Sequence, residues 1–135
     1  MGLDISYTVF TKPWPNKSLA ELGQFVKGLG FDGVELPVRP GFQVTPENVT
    51  QGLSEAAKVL GEQGVRIGTV AGSTDEATIA ACGEAGIPII RICQKVDTKE
   101  GYMAEEARIQ KEYDALVPLL EKHNVAVGVQ NHTGF

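Results

Sequence analysis

Apolar residues alternate with polar ones at five places along the chain, and the stretches between carry a helical period. Leu3, Ile5, Tyr7 and Val9 alternate with Asp4, Ser6 and Thr8, which predicts a first strand over Leu3–Val9. Gly33–Val38 repeats the pattern, with Val34, Leu36 and Val38 on one face and Glu35 on the other. Val65–Val70 and Ile87–Cys93 follow, the latter with Pro88 at its start, where no ladder donor is lost. The last strand, in Val125–His132, sets Val125, Val127 and Val129 against Ala126, Gly128 and Gln130. Its bulky face suits outer helices and its small face a crowded interior, with Gln130 and His132 emerging together at the carboxyl end.

The intervening stretches have start and stop signals. Ser18 and Glu21 form a capping box before a face of Leu22, Phe25, Val26 and Leu29, closed at Gly30. Thr45 as N-cap and Pro46 at the first helical position open a helix burying Leu53, Ala56, Ala57 and Leu60, stopped by Gly64. Ser73 with Glu76 reads as a second capping box, for a helix through Ile79 and Cys82 to Gly86. The last helix, about Met103–Lys122, shows a stripe of Tyr113, Leu116, Val117 and Leu120, with His123 and Asn124 as its cap. The order is βαβαβαβαβ with no linker, so residues 1–135 form one α/β domain with a parallel sheet. A doubly wound sheet and part of an eight-stranded barrel both satisfy this order.

Gly28-Leu29-Gly30-Phe31-Asp32-Gly33 matches the letters of a dinucleotide fingerprint, but it closes a helix and enters a strand. No helix N-terminus then points at a pyrophosphate, and the glycines read as a helix cap and tight turn. There is no P-loop, G-x-S-x-G, H-E-x-x-H or paired C-x-x-C. Chemistry therefore rests on polar residues at inward strand positions. Glu35 and Arg91 are inward by parity, and two accounts fit them: they satisfy each other in the interior, or both ring a substrate pocket. His132, beside Gln130 and Asn131 at a strand's carboxyl end, reads as functional.

Composition narrows the class. With 12 Lys and Arg against 17 Asp and Glu, the net charge of -5 lacks the basic footprint of nucleic-acid binding. No apolar run reaches the roughly 20 residues of a membrane helix. The start M-G-L-D-I-S shows no secretory signal, and its myristoylation-like letters (Gly2 to Ser6) overlap a predicted strand. Cys82 and Cys93 read as reduced thiols, and the sequons at Asn16, Asn48 and Asn131 carry no meaning without secretion. A cytoplasmic protein without membrane or nucleic-acid partners is expected.

Gly30–Leu36 (G-F-D-G-V-E-L) after a Leu-rich helix, and Val127–His132 (V-G-V-Q-N-H) after K-H-N, resemble the xylose-isomerase-like TIM-barrel superfamily of sugar isomerases, ketose 3-epimerases and inosose dehydratases. The resemblance covers the whole chain, as the amino-terminal half of such a barrel: four βα units and a fifth strand. It implies the front half of a metal-dependent sugar or sugar-phosphate isomerase or epimerase, moving a proton next to a carbonyl. It also implies a divalent metal (Mn, Mg, Co or Zn), with Gln130 at a ligand position, Trp14 lining the sugar site and His132 able to bind a substrate hydroxyl. Together with the strand positions, this makes His132 and Glu35 catalytic candidates and Trp14, Arg91 and Asn131 substrate-binding candidates. Gln130 stands where the family has glutamate, and an amide can ligate a metal but cannot accept a proton near pH 7. The isolated chain is thus expected to be inactive. The alternative is a non-catalytic carbohydrate-binding or structural half-barrel that has lost the metal site; the superfamily's apurinic-nuclease branch is disfavoured by the charge. A complete barrel takes roughly 250 residues, so a fragment of a longer protein or a homo-oligomer is expected, the strand-five edge being the adhesive one.

Overall fold

The computed structural model describes residues 5–133. Five strands, β1 Thr8–Phe10, β2 Gly33–Pro37, β3 Arg66–Ala71, β4 Ile89–Cys93 and β5 Ala126–Gln130, form one sheet in the order 1-2-3-4-5, every neighbouring pair parallel. Four helices connect them: α1 Leu19–Gly28, α2 Val49–Glu62, α3 Glu76–Glu84 and α4 Tyr102–His123. A doubly wound sheet reverses its strand order part-way across; this one never does. Right-handed crossovers that always step the same way put all four helices on one face, where consecutive helices touch.

That face holds the core. Leu22 and Val26 of α1, Leu53, Ala56 and Leu60 of α2, and Ile79 and Cys82 of α3 are fully buried against Val34, Leu36, Val70 and Ile90 of the strands. The core thins toward the end of the sheet. Leu116, Leu119 and Leu120 of α4 pack only partly against it, and Val117, expected in that stripe, is 43% exposed. Leu119 takes its place, because i, i+3 and i+4 positions share one helical face.

Three boundaries depart from the alternation. Leu3 and Asp4, with Gly2 of the myristoylation-like letters, lie outside the described residues. Among those described, β1 begins only at Thr8, and Ile5 and Tyr7 are exposed. α3 is capped by Asp75, not Ser73: the Asp75 carboxylate accepts from the Thr78 N–H at 2.9 Å, while the Ser73 hydroxyl donates to Asp75. A carboxylate takes several donors at once, so it outcompetes the hydroxyl two residues before it. β3 contains a bulge at Gly68: Val34 pairs with Ile67 but Glu35 pairs with Thr69. The extra residue lets Ile67 and Val70, three apart, both face the helices.

The glycine motif is structural. Gly30 sits at φ 86° just past α1, and a Cβ on Gly33 would come 2.6 Å from the Arg66 carbonyl oxygen. No helix among the described residues is long and apolar enough to cross a membrane.

Candidate functional site

The face opposite the helices bears the polar chemistry, gathered where the strands end. An open cavity of about 1190 Å³ takes Phe10 of β1 and Lys12 after it, Glu35 of β2 and Arg39 after it, Ser73 and Thr74 after β3, Arg91 and Cys93 of β4, and Gln130 of β5 and His132 after it. In a parallel sheet every strand's carboxyl end lies on one side, so five separate segments converge there.

Arg91 and Glu35 pair with each other, and both side chains line the cavity. In register Arg91 lies between Ala71 and Gly128, small neighbours that leave its long side chain room to cross the sheet. Its Nε and Nη2 donate to Glu35 Oε1 at 3.2 and 2.5 Å. The side chains retain 15% and 18% exposure, so the pair is shielded but not dry. The bond to Glu35 raises the Arg91 pKa above its ordinary value, against the opposing effect of burial. The guanidinium also lies 4.9 Å from the centroid of the Phe10 ring, within cation–π range. Its Nη1 contacts Cys93 Sγ at 3.6 Å, and that thiol in turn meets Gln130 Oε1 at 3.7 Å. Both are weak bonds to sulfur.

His132 Nδ1 lies 2.8 Å from the Thr133 carbonyl. A carbonyl only accepts, so Nδ1 carries the proton of that bond. Asn131 is exposed beside it, outside the cavity lining. Trp14 also stands apart from the lining: its ring packs edge-on to Phe25, centroids 4.8 Å apart. Gln43 fixes that loop by donating to the carbonyls of Trp14 and Lys17, each at 2.9 Å. The tryptophan expected at a sugar site is thus packed on α1.

The cavity also holds Lys12, Arg39, Ser73 and Thr74, which periodicity did not single out. All follow a strand by two or three residues, and that position was the signal available.

No family model matches this chain, and no curated protein matches it. Among solved structures, the crystal structure of mannonate dehydratase from Streptococcus suis serotype 2 aligns with 95% of this chain at a TM-score of 0.63 and 15% identity. Such a likeness is one of fold. The fold is a partial TIM barrel. The chain spans 52% of the dehydratase's length.

The donors present do not make a metal site on their own. Among the described residues no group of three or more His, Cys, Asp or Glu side chains is placed to hold an ion. Glu35 Oε1 is committed to Arg91, and Gln130 Oε1 faces the Cys93 thiol. The divalent ion implied by the family resemblance therefore lacks a ligand set among the described residues.

Proposed function

We propose that this chain is the amino-terminal half of a barrel enzyme that moves a proton next to the carbonyl or carboxyl group of a sugar, sugar phosphate or sugar acid. The supporting observation is the convergence of Arg91, Glu35, Gln130 and His132 on one cavity at the carboxyl ends of the strands. The fold-level neighbour, named as a mannonate dehydratase, adds sugar acids to the substrates considered. Isomerising a sugar and dehydrating a sugar acid can both begin by removing a proton from such a carbon.

In this reading Arg91, held by Glu35, directs its remaining guanidinium donors at a substrate oxygen, where negative charge grows as the proton leaves. His132 is the acid–base group, exchanging the proton through its imidazole. Glu35 is the second candidate, through Oε2, since Oε1 already accepts two bonds from Arg91. Gln130 and Asn131 orient hydroxyls with their amides; the Gln130 amide takes no proton. Any metal requires ligands from outside the described residues.

The second reading, a carbohydrate-binding half-barrel without catalysis, is favoured by the amide at Gln130. Titrating the purified chain with fructose and mannonate by saturation-transfer NMR, and assaying turnover with Mn²⁺ present, tests both. Binding that weakens in Arg91→Met is expected, without turnover by the isolated chain. No binding of either ligand overturns the site, and turnover clearly above buffer overturns the expected inactivity.

A further inference from the structure

Among the described residues that line the cavity, Glu35 is the single carboxylate, against the three cations Lys12, Arg39 and Arg91. Glu35 is taken up by Arg91. Neither Lys12 nor Arg39 forms an ion pair among the described residues. This surplus of positive charge occurs in a chain of net charge -5, so it runs against the protein's overall field.

Both cations are set on fixed backbone. Thr11, next to Lys12, is fully buried and donates its N–H to the Glu35 carbonyl at 3.1 Å. Arg39 opens a turn in which its N–H donates to the Val44 carbonyl at 3.1 Å and its own carbonyl accepts from Phe42 at 3.2 Å. Its side chain is half-buried, with Cζ 6.0 Å from the centroid of the same Phe10 ring that Arg91 approaches. A cation freely solvated at a surface needs no such seat. A half-buried guanidinium stacked on an aromatic has lost part of its water and keeps its donors for an anion.

We infer that Lys12 and Arg39 form an anion subsite at the rim of this cavity, selecting a substrate with a carboxylate or phosphate at one end. The inference rests on the sugar reading above and names the substrate class for it: acidic sugars over neutral ones. The anion binds at the β1 and β2 ends, and the rest of the molecule extends toward Arg91, Gln130 and His132. Carboxylate and phosphate share the recognition chemistry, since each offers paired oxygens to a guanidinium fork and an ammonium.

The test uses the whole 135-residue chain and NMR titration at low ionic strength, with inorganic phosphate, mannonate, fructose 6-phosphate and neutral fructose as probes. The acidic sugars are expected to bind about tenfold or more tightly than fructose, the size of one charge-assisted contact. Arg39→Gln and Lys12→Gln should each reduce that preference while leaving fructose affinity unchanged. Lys12 is exposed, so its variant remains informative if Arg39→Gln disturbs the turn. Tighter mannonate than fructose 6-phosphate assigns the carboxylate, and the reverse order the phosphate; either supports the subsite. Acidic sugars binding no better than fructose, or a preference intact in both variants, overturns it. Inorganic phosphate binding as tightly as fructose 6-phosphate, and weakened in both variants, supports the subsite while overturning the sugar reading.

Discussion

Arg91 and Glu35 lie 56 positions apart and on strands that are not neighbours in the sheet, yet they share one oxygen. Alternation made them visible: a polar residue between two apolar ones in a parallel strand must face the interior, and only a partner or a pocket makes that tolerable. Lys12 and Arg39 were not legible in the same way, because loops have no period and nothing in the letters K-P-W or R-P-G says which way a side chain turns. The coupling of the pair is measurable. Glu35→Gln should cost about 1–3 kcal/mol in urea unfolding, since it leaves a shielded guanidinium without its counter-charge. Arg91→Met added to it should cost less than the two single changes together. Strict additivity would show that the pair contributes no interaction energy.

Helices and strands were readable wherever one residue type decides the geometry. Ser18 does cap α1, and Asn124, at φ 54°, does end α4 in the left-handed conformation. Reading stopped short where two signals compete, as Ser73 and Asp75 do before α3, or where the period itself breaks. The spacing of three between Ile67 and Val70 across Gly68 is such a break, and it points to the bulge. Deleting Gly68 should therefore leave the fold standing. Deletion removes the extra residue and sets Ile67 and Val70 two apart, so both keep the helix face and Thr69 keeps the cavity face, whereas the Cβ added in Gly68→Ala meets Thr8 Cγ2 at 3.2 Å. Circular dichroism and thermal melts decide it, and loss of the folded state on deletion would overturn the register. At the other end of the sheet, Glu105 ties α4 to the preceding loop: its carboxylate accepts from Arg108 Nε at 2.8 Å and from the Asp97 N–H at 3.0 Å. The Arg108 bonds first, and the Asp97 amide second, hold its pKa down at about 2 from an ordinary 4.5. A lowered folded-state pKa stabilises above the ordinary value and is lost as pH falls through the folded one. Protection of the Asp97 amide from hydrogen exchange should accordingly fall between pH 4.5 and 2, and Glu105→Gln should leave it low and flat across that window.

At the scale of the molecule, regularly spaced βα units predicted the parallel sheet, but not how far it closes. Strand order settles that the sheet is singly wound, and the order also leaves β1 and β5 as its two margins. The β5 margin is the less protected. Ala126–Gln130 carries no charge, Val129 is 51% exposed, and Val117 on the adjoining helix is 43% exposed. Natural edge strands are usually blunted by lysine, proline or a bulge, and β5 has none of these. Its N–H and C=O groups on the open side need partners. A second copy of the same strand, antiparallel about a two-fold axis, would supply them and cover both valines. The isolated chain should therefore dimerise through β5, its mass in light scattering rising with concentration from 14.4 kDa toward twice that. Val129→Lys puts a charge at the centre of the contact and should hold the chain monomeric without touching the buried core. A wild-type chain that stays at the monomer mass at high concentration, or a Val129→Lys variant that dimerises as well as wild type, would refute the β5 contact.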